Sequence, residues 1–175
     1  AVGGRSEIVE SFTPSGDVFQ SGTFSGHPVT MAAGLETLRY AASEDVHDEM
    51  HKLGDRLRAG IADIVADRAP DYTVVGTDSA FKLVFTRESG APQAESDSCS
   101  TGCTQDPDCP CYDRCPKTGA DVANADTERW ERLFWPAMRD EGVFLTVNQF
   151  ETNFLSAAHT REDVEETLEA YKTVL

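Results

Sequence analysis

Positive charge is scarce in this chain. Only 15 of its 175 residues are lysine or arginine against 31 aspartates and glutamates, a formal net charge of −16. A surface of that sign repels polyanions, so nucleic acid and anionic membrane faces are excluded as partners. Lysine is rarest, with Lys52, Lys82, Lys117 and Lys172 its whole complement. Such a surface also repels itself in dilute buffer, and a Debye length of about 3 Å at molar salt relieves that repulsion. The charge excess therefore reads as a salt-adapted cytoplasmic protein, against the plainer alternative of an acidic protein of ordinary salt. Long apolar runs are missing too, which predicts no membrane span. No charged-plus-apolar leader is present, which predicts no secretion. The opening Ala1-Val2-Gly3-Gly4 without an initiating Met reads as a chain cut within a larger one. Neither a Walker loop, a dinucleotide fingerprint nor an internal repeat occurs.

What is present has clear periodicity. Residues 5–11 predict one or two helical turns ended by Thr13-Pro14-Ser15-Gly16, and residues 17–20 a short extended piece. Val29, Met31, Ala32, Leu35 and Leu38 predict a mostly buried helix from Pro28 to about Ala42, its small residues permitting close packing. Ser43 then reads as a cap for a second helix. Met50, Leu53, Leu57, Ile61, Ile64 and Val65 recur along that helix at the spacing of one apolar stripe, with Arg56, Arg58, Asp63 and Asp67 off it in solvent. Pro70 stops it.

Residues 72–75 and 81–85 predict a hairpin around Gly76-Thr77-Asp78-Ser79. A polar insert follows over residues 87–124. Residues 126–141 return to helical spacing through Trp130, Leu133, Phe134, Ala137 and Met138, with Pro136 kinking or splitting the helix. Val143-Phe144-Leu145 and Phe154-Leu155-Ser156 predict two more strands. Thr160 caps a last helix with Val164, Leu168 and Tyr171 inward and Glu162, Glu165, Glu166 and Glu169 outward. The expected fold class is α+β, with helices on one face of a small, mostly antiparallel sheet. The other face, left for a further domain, would expose apolar surface.

Three clusters are candidates for chemistry. In residues 20–28, Gly22 and Gly26 flank Thr23 and Ser25, and the loop closes on Pro28, a residue suited to the first position of a helix. Free N–H groups, two hydroxyls and the positive end of a helix dipole favour an anion, most simply a phosphate. An ordinary capped loop before a buried helix fits the same pattern. Cys99, Cys103, Cys109, Cys111 and Cys115 crowd the insert between turn formers Gly102, Pro107, Pro110 and Pro116. Thiolates so close repel unless metal or disulfides neutralise them, so four of the five can hold a structural zinc, with disulfides or free thiols as alternatives. His47 and His51 stand four apart, but the zincin motif needs Glu directly after the first His, and a solvated helix face is the better reading. His159 reads as a structural hydrogen-bonding residue.

Gly22-Thr23-Phe24-Ser25-Gly26-His27-Pro28 followed by Met31-Ala32-Ala33-Gly34-Leu35 resembles the phosphate-contacting segment of class III, pyridoxal-phosphate-dependent aminotransferases. Ala1-Val2-Gly3-Gly4-Arg5 resembles the end of that family's run beyond its cofactor lysine. Asp140-Glu141-Gly142-Val143-Phe144-Leu145 and the run from Gln149-Phe150-Glu151 to Ala158-His159-Thr160 resemble its aminomutase branch, which moves nitrogen within one substrate.

The resemblance implies a fold-type I transferase cut to its C-terminal part: residues 1–70 as the end of the large cofactor domain with linking helices, and 71–175 as the small α+β domain with a cysteine-rich insert at 95–119. It implies pyridoxal 5'-phosphate as cofactor, with Gly22 and Thr23 holding its phosphate across a homodimer interface, and Glu151 binding a small-molecule substrate. The Schiff-base lysine is expected upstream of Ala1, since none of the four lysines stands in matching context, and the piece alone is then inactive. The family has Asn where His27 stands. Two rivals remain: a class III ω-aminotransferase, against which the lack of arginine around Glu151 argues, and a zinc-knuckle interaction module.

Overall fold

The computed structural model describes residues 3–43, 45–69, 72–85, 119–123 and 125–175. Contacts divide the chain into two units, Ala1–Glu44 and Asp45–Leu175.

The first unit holds a single turn of helix, α1 (Ser6–Val9), a bridge between Phe12 and Val18, and the helix α2 (Pro28–Ser43). The expectation of a mostly buried α2 fails. None of its residues is buried, and Val29, Leu38 and Met31 are 71%, 70% and 59% exposed. Small residues permit close packing, but no described element packs on them. Ser43 is the last residue of α2 rather than a cap, its hydroxyl turned back to the Tyr40 carbonyl.

In the second unit α3 (Val46–Arg68) lays its stripe on the sheet and on the last helix, burying Leu57, Ile61, Ile64 and Val65. Contacts of α3 with the hairpin and with that helix place it in the second compact unit, which begins at Asp45. Arg58, expected in solvent, is buried: its guanidinium donates to the Asp78 carbonyl and to the Asp55 carboxylate. Beside it Gly54 brings α3 against the same turn, and Gly60 does so against Leu168.

The hairpin is as expected, β1 (Tyr72–Thr77) antiparallel to β2 (Ala80–Phe85), with Tyr72 opposite Phe85 and Thr77 opposite Ala80. A two-residue turn needs left-handed backbone, which Asp78 adopts at φ 50°. The third strand, β3 (Asn153–Phe154), pairs antiparallel with Ala80 and Phe81, giving the order β1-β2-β3. No strand forms at 143–145: the Val143 N–H returns to the Met138 carbonyl and the Leu145 carbonyl accepts from the Trp135 indole rather than from a neighbouring strand.

Alternation sends Tyr72, Val74, Phe81, Leu83 and Phe85 to the main core. Val84, on the opposite face, is covered by Val122 of α4 (Gly119–Ala123) and by Ala125, so that face is not left wholly to a further domain. Between α5 (Thr127–Arg129) and α6 (Trp135–Asp140) the chain runs through a π-helical stretch, Trp130–Phe134. Pro136 does not split this run, which continues through it as α6 with a π-helical turn just before. The Trp135 N–H reaches the Trp130 carbonyl five residues back, and the wider turn falls just before the residue that has no N–H to give. It also turns Trp130 and Phe134 inward, their ring centroids 5.6 and 5.1 Å from that of Phe85.

The last helix, α7 (Arg161–Val174), starts as expected at Thr160, in a reciprocal capping box with Asp163. Val164, Leu168 and Tyr171 are buried in the core. The five cysteines, and the stop at Pro70, lie outside the described residues.

Candidate functional site

The segment after α6 is aimed by its first turn. Gly142 takes φ 87°, its N–H reaches the Arg139 carbonyl, and Val143 N–H returns to Met138, which ends the helix in a Schellman motif. Residues 143–146 then run without regular structure or a strand partner, and Val147 stands in a bend. Their backbone is held by side chains: Trp135 Nε1 donates to the Leu145 carbonyl at 2.9 Å and Trp130 Nε1 to that of Val147 at 3.0 Å. The Thr146 N–H donates to Asn153 Oδ1 at 2.8 Å, a side-chain amide standing in for the missing neighbour.

These residues wall a cavity of about 490 Å³ with Leu57, Phe81, Leu145 and Phe154 as apolar lining and Glu151 and His159 as its ionisable groups. The turn that carries Glu151 is built on Asn148. Asn148 Oδ1 accepts the N–H groups of Phe150 at 2.9 Å and Glu151 at 3.1 Å, and its Nδ2 donates to Glu151 Oε1 at 3.3 Å. From β2, Lys82 Nζ donates to the Phe150 carbonyl at 2.6 Å. Partial burial holds the Lys82 pKa below its usual value, opposed by the Glu151 charge. Under the turn, Gln149 is buried and its Nε2 donates to the Leu83 carbonyl. His159 Nδ1 accepts the Ser156 N–H at 3.0 Å, so the proton of a neutral imidazole sits on Nε2. The structure thus gives His159 a local hydrogen-bonding role while placing it on the cavity wall.

Gly22 and Thr23 are exposed in the first unit, in a turn where Ser25 N–H donates to the Gly22 carbonyl at 2.9 Å and Gly26 takes φ 72°. The N–H groups of Gly22, Thr23, Phe24 and Gly26 have no protein acceptor among the described residues. His27 stands over the first turn of α2, its Nδ1 3.4 Å from the Thr30 nitrogen. Gly22 and Thr23 belong to one unit and Glu151 to the other, and each is described within its own.

His47 and His51 have ring centroids 6.3 Å apart, and His51 lies 3.8 Å from an Asp78 carboxylate oxygen. Among the described residues no group of three or more His, Cys, Asp or Glu is placed to hold a metal. None of the described helices is long and apolar enough to cross a membrane. Of the residues gathered at this cavity and turn, the sequence singles out Glu151 and His159 but not Asn148 or Lys82. The Asn-x-x-Glu spacing, typical of a side chain turning back on its own loop, is the available signal for the first; nothing local marks the second.

No family model matches the chain. It is 64% identical over its whole length to the glutamate-1-semialdehyde 2,1-aminomutase of Haloarcula marismortui and 63% to that of Haloquadratum walsbyi, covering 39% of each. To the protein of that name in Methanosarcina acetivorans it is 41% identical over 169 residues, 33% of that protein. The chain therefore spans about two fifths of the length of the halophile relatives. Among solved structures, an omega-transaminase from Sphaerobacter thermophilus superposes with a TM-score of 0.64 at 22% identity, over 98% of this chain and 34% of that one. A structure described as a transaminase with PLP bound gives the same score at 19% identity. The fold is that of one third of a transaminase chain.

Proposed function

We propose that the chain, which matches one portion of glutamate-1-semialdehyde 2,1-aminomutases from end to end, is the C-terminal part of such an enzyme, converting glutamate-1-semialdehyde to 5-aminolevulinate for tetrapyrrole synthesis. The observation that carries this is the 64% identity over the full length, with no large piece of the chain left unmatched. In this reading residues 1–70 close the large domain and its linking helices, and 71–175 form the small one.

Pyridoxal 5'-phosphate supplies the electron sink and the carrier nitrogen when bound. The residues present fit its phosphate: the unpaired N–H groups at Gly22 and Thr23, with Gly26 left-handed, form an open cradle for an anion. They hold it in a cytoplasmic homodimer, where the cofactor bound to one subunit meets the cradle of the other. Glu151, exposed at the rim of an apolar cavity, offers its carboxylate to the substrate's amino group. The Schiff-base lysine belongs to the part of the relatives that this chain does not span, so the chain alone is inactive.

The test is to express the enzyme carrying this stretch and supply glutamate-1-semialdehyde without an amino donor. Formation of 5-aminolevulinate is expected; a strict requirement for a donor identifies an ω-aminotransferase instead. Thr23→Val should weaken cofactor retention. For the cysteines, which only the sequence addresses, four thiolates on a structural zinc is our reading, and less than about half an equivalent of zinc in purified protein refutes it. Deleting residues 95–119 should spare activity; loss of a bound partner on deletion, with no isomerase activity in the parent, marks an interaction module.

A further inference from the structure

Resting on the assignment of Glu151 to the substrate, we infer that Asn148 and Lys82 are positioning residues that fix where the Glu151 carboxylate points. Glu151 sits on a four-residue turn without strand pairing, and an exposed glutamate there has several rotamers to choose from. Asn148 removes that freedom at both ends. Its Oδ1 takes the N–H groups of Phe150 and Glu151, fixing the backbone from which the side chain leaves, and its Nδ2 donates to Oε1, fixing the side chain itself.

Lys82 ties the turn to the scaffold. It lies on β2, opposite Val75 and next to Leu83, whose side chain is fully buried, so its stem starts from one of the most rigid parts of the unit. Its ammonium donates to the Phe150 carbonyl and carries a positive charge that acts on Glu151. A site placed on a loop gains precision when a neighbouring strand supports it. One Glu151 oxygen is engaged by Asn148, and the other, with no hydrogen-bond partner among the described residues, is the one offered to a substrate ammonium.

The two amide functions of Asn148 can be separated. Asn148→Asp keeps an oxygen for both N–H groups, so the turn survives, but it loses the donor to Glu151 and sets a like charge beside it. A merely structural asparagine tolerates that change. In the holoenzyme, Asn148→Asp is expected to raise KM for glutamate-1-semialdehyde about three- to tenfold with kcat within about twofold, since ground-state placement is what it disturbs. Lys82→Met should raise KM in the same way, and Lys82→Arg, which restores a cationic donor, should recover most of the loss.

Glu151→Gln is measured beside them, and thermal unfolding of every variant checks folding. In the Glu151→Gln background the Asn148→Asp effect should vanish. If Glu151→Gln leaves KM and kcat unchanged, the assignment of Glu151 is wrong and the positioning role falls with it. If Glu151→Gln raises KM while Asn148→Asp matches the parent, or if Asn148→Asp costs as much in the Glu151→Gln background as in the parent, the assignment stands and the positioning role is overturned.

Discussion

Gly54→Ala tests how α3 is seated on the hairpin. A Cβ at position 54 would lie 1.9 Å from the Asp78 carbonyl oxygen and 2.8 Å from its carbon. Ordinary contact begins near 3.4 Å, so the turn has to retreat by roughly 1.5 Å. The obstructing atom is backbone and cannot rotate away. It is also the oxygen that accepts from Arg58, so retreat breaks a hydrogen bond to a buried guanidinium. Overpacking costs about 1–3 kcal/mol and the lost charged hydrogen bond about 1.5–3 kcal/mol. Replacing a helical glycine by alanine returns about 1 kcal/mol. The balance is a loss of about 1.5–5 kcal/mol, a fall in Tm on the order of 5–20 °C for a unit of this size. Thermal and urea unfolding by far-UV circular dichroism measure it. Gly60→Ala is the control: there the nearest atom is Leu168 Cδ2 at 2.6 Å, the end of a side chain that can turn, and stability should stay within about 1 kcal/mol of the parent. Arg58→Met should cost less in the Gly54→Ala background than alone. A Gly54→Ala protein as stable as the parent or more stable, the latter being what helix propensity by itself demands, refutes the reasoning.

Tyr171→Phe should stabilise the second unit by about 1 kcal/mol or more, because the buried hydroxyl has no partner among the described residues while its ring packs on Phe134; a loss in urea unfolding would show a hidden partner. Thr160→Ala should cost about 1 kcal/mol through the lost cap. The N–H and O–H of Thr160 hold the Asp163 pKa below its ordinary 3.8, so the stability Asp163 lends is full above that value and is lost as pH falls through the lower folded one. The difference between parent and Asp163→Asn should accordingly be constant near neutrality and shrink in acid; a difference that grows in acid refutes this sign. With 31 acidic residues against 15 basic, Tm should rise steadily as potassium chloride goes from dilute to molar, and a flat response removes the salt-adapted reading.

Where a segment satisfies its own backbone, its pattern is readable. The stripe of α3, the alternation of β1 and β2 and the Thr160 cap each appear in the sequence as spacing, and each is found in place. The misreadings share a cause. Arg58 falls off the apolar stripe by count, yet Gly54 one turn away brings the hairpin over it, and no periodicity reports how near another element comes. In α2 the spacing predicts burial, but spacing states only that a face is apolar; what covers that face lies elsewhere, and here it is open. A proline such as Pro136 splits a regular α-helix, but the run continues here because a wider turn stands just before it.

The site shows the same division one level up. Resemblance picks out Glu151, because a carboxylate in a particular run of residues is a local mark. What surrounds that carboxylate is not local. The stretch 143–147 resembles a strand in composition, but beyond the Val143 N–H, which closes α6, its hydrogen bonds run to two indoles and an amide. Trp130 and Trp135 reach it only because the π-helical turn and Pro136 set the phase of the helix that carries them, and Lys82 reaches the Glu151 turn only because alternation sends it off the core face of β2. A backbone held by side chains has no strand neighbour competing for its edge, so the apolar side chains of 143–147 are free to line a cavity and the turn beyond can carry a charge at its rim. The irregularity that hides this segment from pattern reading goes with its place in the cavity wall, where the proposed reading puts the substrate.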